Sequence, residues 1–299
     1  MDAEPASLHT AAPANPGAGL RLALNPAIYL ISILPAAGVV LLAQQEIWWA
    51  GLASATIAVV LLQHAINLFN DVSDWRLGAD THKHDSWVRA HRGNTRIVTL
   101  HGIASAVLGI AIGVATLLLA DKLWILLIAL PMAILGYLYN AGERPLSYTV
   151  LGEWVTGLCY GPGVFGCLYL LAHNGIDAAA LPGMITFAAL AMALLLSHQP
   201  PQIETDRAAG KHSFAVRYGA EKTRLTARLL FVFGLSSFAL AAWLAGQLPQ
   251  LLAFLLLGGI AVLLTCRRTP NPKLLLLSAS SVFFLALGVP LLLNLSLAG

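Results

Sequence analysis

The sequence predicts an all-α, polytopic membrane protein, with about nine transmembrane helices in a bundle and two cytoplasmic loops capping one end. Three observations carry that prediction. The 299 residues are 58% hydrophobic and 10% charged, with a mean hydropathy of +0.76, whereas soluble domains carry roughly 25% charged residues. The apolar residues gather in long runs, too many for one soluble core to hide. Of the 17 Lys and Arg, all but Lys122 fall on one side of a nine-span arrangement.

Taken in order, residues 1–20 are rich in Ala, Pro and Gly and lack a basic n-region. They read as a disordered tail ahead of a membrane domain over residues 21–299. The apolar spans are about 22–44, 47–69, 98–119, 123–140, 151–172, 178–198, 225–246, 248–266 and 274–296. A tight turn, Gly246 to Pro249, makes the seventh and eighth an antiparallel hairpin. The positive charges place the N-terminus and the loops after spans two, four, six and eight in the cytoplasm of a bacterial-type inner membrane. The C-terminus then lies on the opposite side. Net charge is only +3, and no basic cluster is interleaved with exposed aromatics, which sets aside a nucleic-acid partner. No protein partner is inferable. Cys159, Cys167 and Cys266 have no metal-ligand spacing and read as small buried hydrophobes.

Two connections, about 70–97 and about 199–224, are too long to be simple links, and each opens on a polar motif. In the first, Gln63, Asn67, Asn70, Asp71 and Asp74 share one helical face, with Gly78 and Asp80 following. The second runs His198, Gln202, Glu204, Asp206, Gly210, Lys211. Such clusters either bind a hard cation or mark where a helix meets water; two on one face favour a site. Close-set Asp71, Asp74, Asp80 and Asp206 need a counter-charge. Oxygen donors without Cys or clustered His suit Mg²⁺ or Ca²⁺. Lys83, Arg89, Arg144 and Lys211 are placed to bind the phosphates that Mg²⁺ characteristically shares. Pro200 and Pro201 predict a break after His198 and a restart that keeps Gln202 and Asp206 facing one way. Glu153, inside the fifth span, must face the bundle or a wet cavity, either paired with an Arg or acting on substrate. His64 and His101 read as hydrogen-bonded interior histidines. The similar placement of the two motifs hints at pseudo-repeated halves meeting at a site.

These residues resemble the UbiA superfamily of intramembrane prenyltransferases. Asn70, Asp71, Asp74 and Asp80 are similar to its first aspartate-rich motif, in the longer form with Gly78 and Lys83 that looks like the 1,4-dihydroxy-2-naphthoate branch. The segment Tyr139 to Glu153 also resembles that branch, with Glu143 where Pro commonly stands. Glu204 to Lys211 matches the second motif. His198 and Gln202 depart from the Asn and Asp of many relatives and resemble the phytyl-transferring enzymes.

The resemblance implies transfer of an isoprenoid chain from an allylic prenyl diphosphate to an aromatic acceptor, with one or two Mg²⁺ ions. It implies Asn70, Asp74 and Asp80 on one ion and Gln202 with Asp206 on the other. It further implies Asn67 and Asp71 in support, and Tyr148, Glu153 or His198 orienting the acceptor. Gln202 adds no charge, so its ion is held less tightly. Alternatives are 4-hydroxybenzoate, homogentisate or a tetrapyrrole as acceptor, or an ion-coupled transporter. The acids lie at helix ends rather than at mid-membrane, where transporter sites sit.

Overall fold

The structure is a computed structural model that describes residues 16–79, 85–173 and 175–297. Among them it is all-helical. In chain order the helices are α1 (Pro16–Leu24), α2 (Leu30–Leu42), α3 (Trp49–Leu77), α4 (Trp87–Ala90), α5 (Thr95–Leu119), α6 (Leu126–Leu138), α7 (Gly152–Leu158), α8 (Cys167–Ala172), α9 (Ala180–His198), α10 (Ile203–Ala208), α11 (Phe214–Leu244), α12 (Leu248–Arg267) and α13 (Pro272–Leu297). A π-helical stretch, Cys159–Gly166, joins α7 to α8.

Seven helical segments among the described residues are long and apolar enough to cross a bilayer. The nine-span count is therefore not reproduced at full length. The expected fourth span is a shorter apolar helix, Leu123–Leu138, of the 10–17-residue class. Such a helix rises about 15–25 Å, less than the ~30 Å hydrocarbon core. The ninth lies in α13, apolar over Pro272–Gly288. Leu119, Leu127, Trp154, Trp243 and Leu256 stand exposed around the bundle and mark the lipid face.

Inside, α9 is the axis, packed by α7, the π-helical stretch, α11 and α13. Phe187 from α9 stacks on Phe165 at 5.0 Å between centroids and meets Phe238 and Phe283 at 6.3 and 5.3 Å. Burying these rings among helices gives dispersion and shape fit, the driving terms where lipid is as apolar as the core. Gly161 lets the π-helical stretch approach α9: a Cβ there would lie 2.6 Å from the Met184 carbonyl oxygen.

Three further expectations need correction, and a fourth, the restart after His198, is met. The tail does not reach residue 20, because α1 begins at Pro16, a residue suited to a first helical turn, and Ala23 is buried with Trp87 and Val88. The two connections are shorter than expected, because hydropathy falls before the helices end. Helix α3 continues to Leu77, α5 starts at Thr95, and α10 and α11 occupy most of 199–224. The restart after His198 takes the form of a 3-10 turn, Pro200–Gln202, leading into α10. Cys159 and Cys167 are half-buried and Cys266 is exposed, so the three lie on faces turned at least partly outward rather than in the packed interior.

Candidate active site

Both polar motifs end their helices in the same way. Gly78, at φ 80°, follows α3; its N–H donates to the Trp75 carbonyl and the Ala79 N–H to the Asp74 carbonyl. Gly210, at φ 75°, follows α10; its N–H donates to the Arg207 carbonyl and the Lys211 N–H to the Asp206 carbonyl. These are two Schellman motifs, each with an aspartate three positions inside the end and a glycine in the left-handed position. The spacing Asp-x-x-x-Gly thus fixes where each carboxylate leaves its helix.

The two aspartates meet across the bundle. Asp74 is 2% exposed and Asp206 4%. Lys211 reaches both, its Nζ 3.0 Å from Asp74 Oδ1 and 3.6 Å from Asp206 Oδ1. The Asn70 amide donates to Asp74 Oδ2 and the Tyr148 hydroxyl to Asp74 Oδ1, each at 2.8 Å. The Ser213 hydroxyl donates to Asp206 Oδ2 at 3.2 Å. Lys211 also stands over the Tyr148 ring, 4.7 Å from its centroid. A buried carboxylate costs several kcal/mol unless it is paired and hydrogen-bonded, and these donors meet that need.

The middle segment is what carries Tyr148 between the motifs. The Asn140 amide donates to the Ile66 carbonyl on α3, and the Tyr148 carbonyl accepts the His212 N–H. Glu153, 5% exposed, accepts from the Gln199 amide at 2.9 Å and the Phe214 N–H at 2.7 Å, with Arg217 at 3.7 Å. It ties α7, α9 and α11 beneath the second motif, which is the Arg-paired reading. Asp71 Oδ2 accepts the Trp87 N–H at 2.7 Å and so pins α4 over α3.

A cavity of about 310 Å³ opens here. Asn67, Asn70, Asp71, Asp74, His198, Gln202, Asp206 and Lys211 line it, all expected from the sequence. Arg89, half-buried on α4, and the exposed Arg144 are not on its wall. Asp80 and Lys83 lie outside the described residues. Tyr29, Gln199 and Ser213 also line the cavity and were not singled out as site residues from the sequence. Gln199 and Ser213 lie within the second polar connection, whereas Tyr29 sits in an apolar span with no local signal.

The donor set suits Mg²⁺. Among the described lining residues, the four carboxylates of Asp71, Asp74, Asp85 and Asp206 outnumber the ammonium of Lys211, an excess of negative charge on a wall that also carries the amides of Asn70 and Gln202. No group of three His, Cys, Asp or Glu among the described residues forms an all-protein metal cage. Mg²⁺ takes one or two carboxylates and fills its shell with water and phosphate oxygens, so no such cage is required.

The sequence pattern described as the UbiA prenyltransferase family matches residues 30–288. The 1,4-dihydroxy-2-naphthoate octaprenyltransferase of Mycobacterium tuberculosis is 29% identical over 198 residues, 65% of this chain and 67% of that protein. The enzyme of the same name from Bacillus subtilis is 32% identical over 53% of this chain and 51% of that one. The matched stretches thus span between half and two thirds of these relatives. Among solved structures, a UbiA homolog from Archaeoglobus fulgidus bound to GPP and Mg²⁺ shares the fold, with a TM-score of 0.68 at 18% identity over 91% of this chain and 97% of that one.

Proposed function

Because the chain belongs to the UbiA prenyltransferase family, we propose that it transfers an isoprenoid chain from an allylic prenyl diphosphate to an aromatic acceptor, 1,4-dihydroxy-2-naphthoate in quinone biosynthesis. The observation that supports this best is the pair of buried aspartates, Asp74 and Asp206, drawn to one cavity wall and bridged by Lys211. The relatives named as naphthoate octaprenyltransferases support the acceptor. The membrane fold supports a lipid-soluble donor tail lying among the helices.

Asn70, Asp74 and Asp80 would hold one Mg²⁺, and Gln202 with Asp206 a second. When bound, Mg²⁺ neutralises the diphosphate and stabilises pyrophosphate as it leaves. Lys211 then supplies an ammonium to the same phosphate oxygens from its position between the two carboxylates. Arg89, on α4, and Arg144, after α6, would add positive charge on the side of the two motifs, and Lys83, outside the described residues, is proposed for the same role from its place in the sequence. Tyr148 fixes the Asp74 carboxylate by its hydrogen bond, Asp71 holds α4 through the Trp87 N–H, and Asn67 would support them from the same face of α3. Glu153 positions the second motif through Gln199 and the Phe214 N–H. His198 lines the cavity and would orient the acceptor. Trp87, on α4, lines the cavity, and cover from that side would exclude water and protect an allylic cation from hydrolysis. The motif ends, the N-terminus and the cavity mouth face the cytoplasm, following the Lys and Arg count.

The test is turnover in nanodiscs with 1,4-dihydroxy-2-naphthoate and geranylgeranyl or phytyl diphosphate, with and without Mg²⁺. Mg²⁺-dependent prenylated product with matching pyrophosphate is the expected result. Pyrophosphate without that product keeps the donor site and rejects the acceptor. Neither signal from folded protein rejects the reaction.

A further inference from the structure

Beside the aspartates lies a second polar constellation that the donor site leaves unused. Tyr29, at the start of α2, lines the cavity. Its hydroxyl is 2.6 Å from His64 Nδ1 on α3, and His64 Nε2 is 3.3 Å from His101 Nε2 on α5. Trp87, from α4, packs edge-on against both imidazoles, with centroids 5.3 Å from each. The groups facing this chain among the described residues are Asn67 and Asp71 on α3, Tyr160 in the π-helical stretch and His91 after α4. One set of tautomers satisfies both bonds: the Tyr29 O–H donates to His64 Nδ1, and His64 Nε2–H donates to His101 Nε2. Moving every proton one place along gives the mirror set. Three elements thus carry a continuous line from the cavity wall to α5, which begins at Thr95, six residues before His101.

We infer that Tyr29 is a catalytic residue that takes the hydroxyl proton of the aromatic acceptor, with His64 and His101 relaying that proton out of the cavity. The inference rests on the prenyl-transfer reading above. An aromatic carbon attacks an allylic cation faster when the neighbouring hydroxyl is ionised. As the acceptor O–H breaks, its proton bonds to Tyr29 Oη, the Tyr29 proton passes to His64 Nδ1, and the His64 Nε2 proton passes to His101 Nε2. The electron pair left on the acceptor oxygen flows into the ring, and the carbon bearing the carboxylate bonds to the allylic carbon. The allylic C–O bond breaks with its pair on pyrophosphate. The adduct is a β-keto acid. Loss of CO₂ returns the C–C pair to the ring as a naphtholate, which recovers its proton along the same line. Atoms and charge balance without an outside oxidant or base. The aspartates would serve the diphosphate only through Mg²⁺ and Lys211, and need take no part in this step.

The experiment uses the full chain in nanodiscs, with Tyr29→Phe, His64→Gln and His101→Gln beside the wild type. Single-turnover product formation is followed from about pH 6 to about pH 10, a range across which a phenolic hydroxyl ionises. Binding of the prenyl diphosphate with Mg²⁺ is measured in parallel, together with the absorption of bound acceptor, which shifts to the red on ionisation. The expected result is a rate loss of roughly 100-fold near the acid end for Tyr29→Phe and His64→Gln, closing toward wild type at the alkaline end, where solvent ionises the acceptor. His101→Gln, which still accepts a hydrogen bond, shows a smaller loss of the same shape. Donor binding stays unchanged, and half-ionisation of bound acceptor moves to higher pH in Tyr29→Phe. A loss of equal size at every pH, or none, overturns the relay while leaving prenyl transfer standing. A wild type that forms no prenylated product overturns both.

Discussion

At the scale of single residues, the site depends on carboxylates that are buried yet fully engaged. Asp74 accepts from Asn70, Tyr148 and Lys211, so Asp74→Asn keeps the shape but removes the charge that Lys211 and a divalent ion require. Removing one preorganised electrostatic group from a catalytic site costs about 100–1,000-fold in turnover. Asp74→Asn and Asp206→Asn should each show a loss of that size in the nanodisc assay while the protein still inserts and expresses. Wild-type turnover in either variant would remove the metal assignment. Gln202 gives the opposite prediction. It lines the cavity beside Asp206 and offers a neutral oxygen. Gln202→Asp should lower the half-saturating Mg²⁺ concentration by about tenfold, equivalent to about 1.4 kcal/mol. A titration of turnover against Mg²⁺ reads this directly; an unchanged midpoint means that Gln202 does not ligate. The sequence was legible at this scale wherever the signal was local. Residues 67, 70, 71 and 74 follow helical spacing, and the eye can place them on one face. Tyr29 and His64 were not legible as partners, because 35 residues and a change of helix separate them. Only tertiary packing creates that contact.

At the scale of elements, two glycines set both aspartates. A Cβ on Gly78 or Gly210 would meet nothing within 4 Å, so the whole cost of an alanine there is its left-handed backbone, roughly 1–2 kcal/mol. Gly210→Ala should lower the melting temperature and also depress activity, because Asp206 and Lys211 lie on either side of the turn. Gly210→Asn, which tolerates that conformation, should recover most of both. The loop after α5 shows a different device. The Lys122 ammonium donates to the carbonyls of Leu170, Leu171 and His173 at 2.9, 3.1 and 2.8 Å, closing the end of α8. Lys122→Met strands those carbonyls, each at a cost of about 1–3 kcal/mol if it stays unsatisfied, and should lower the melting temperature without changing the pH profile of turnover. His173 stacks on Tyr169 at 3.9 Å, and burial holds its imidazole below the usual histidine range. Below about pH 6.5 the unfolded chain takes up that proton while the folded one resists, so stability falls as pH drops through this window. Thermal melts at stepped pH should lose part of that slope in His173→Phe; an unchanged slope assigns it to other groups. Hydropathy located these helices but misjudged their ends, since it reports where lipid begins rather than where hydrogen bonding stops. Of the eight residues of α3 past position 69, five are polar, and Asn70, Asp71 and Asp74 line the cavity.

At the scale of the whole molecule, two similar helix ends meet at one cavity. Each contributes an aspartate and a left-handed glycine. This repeat was visible in the sequence only as spacing, and it becomes a shared geometry once Asp74 and Asp206 face the same lysine. The charge distribution then yields a prediction about orientation. Lys122 was the one exception to a one-sided count of Lys and Arg, and its three carbonyl partners account for it as a helix-end cap rather than a topological signal. With that exception explained, the remaining cations act together, and the motif-bearing end should be cytoplasmic with the C-terminus across the membrane. Alkaline phosphatase fused after Gly299 should then be active in a bacterial host, whereas a fluorescent protein there should stay dark. Introduced cysteines on the exposed side of α10 should react only when label reaches the cytoplasm. Lys122→Met should leave all of these readouts unchanged, because the charge it removes is already spoken for by the end of α8. A C-terminal fusion that fluoresces would place an even number of crossings in the chain and exclude the shorter apolar helix Leu123–Leu138 or the last helix as a span.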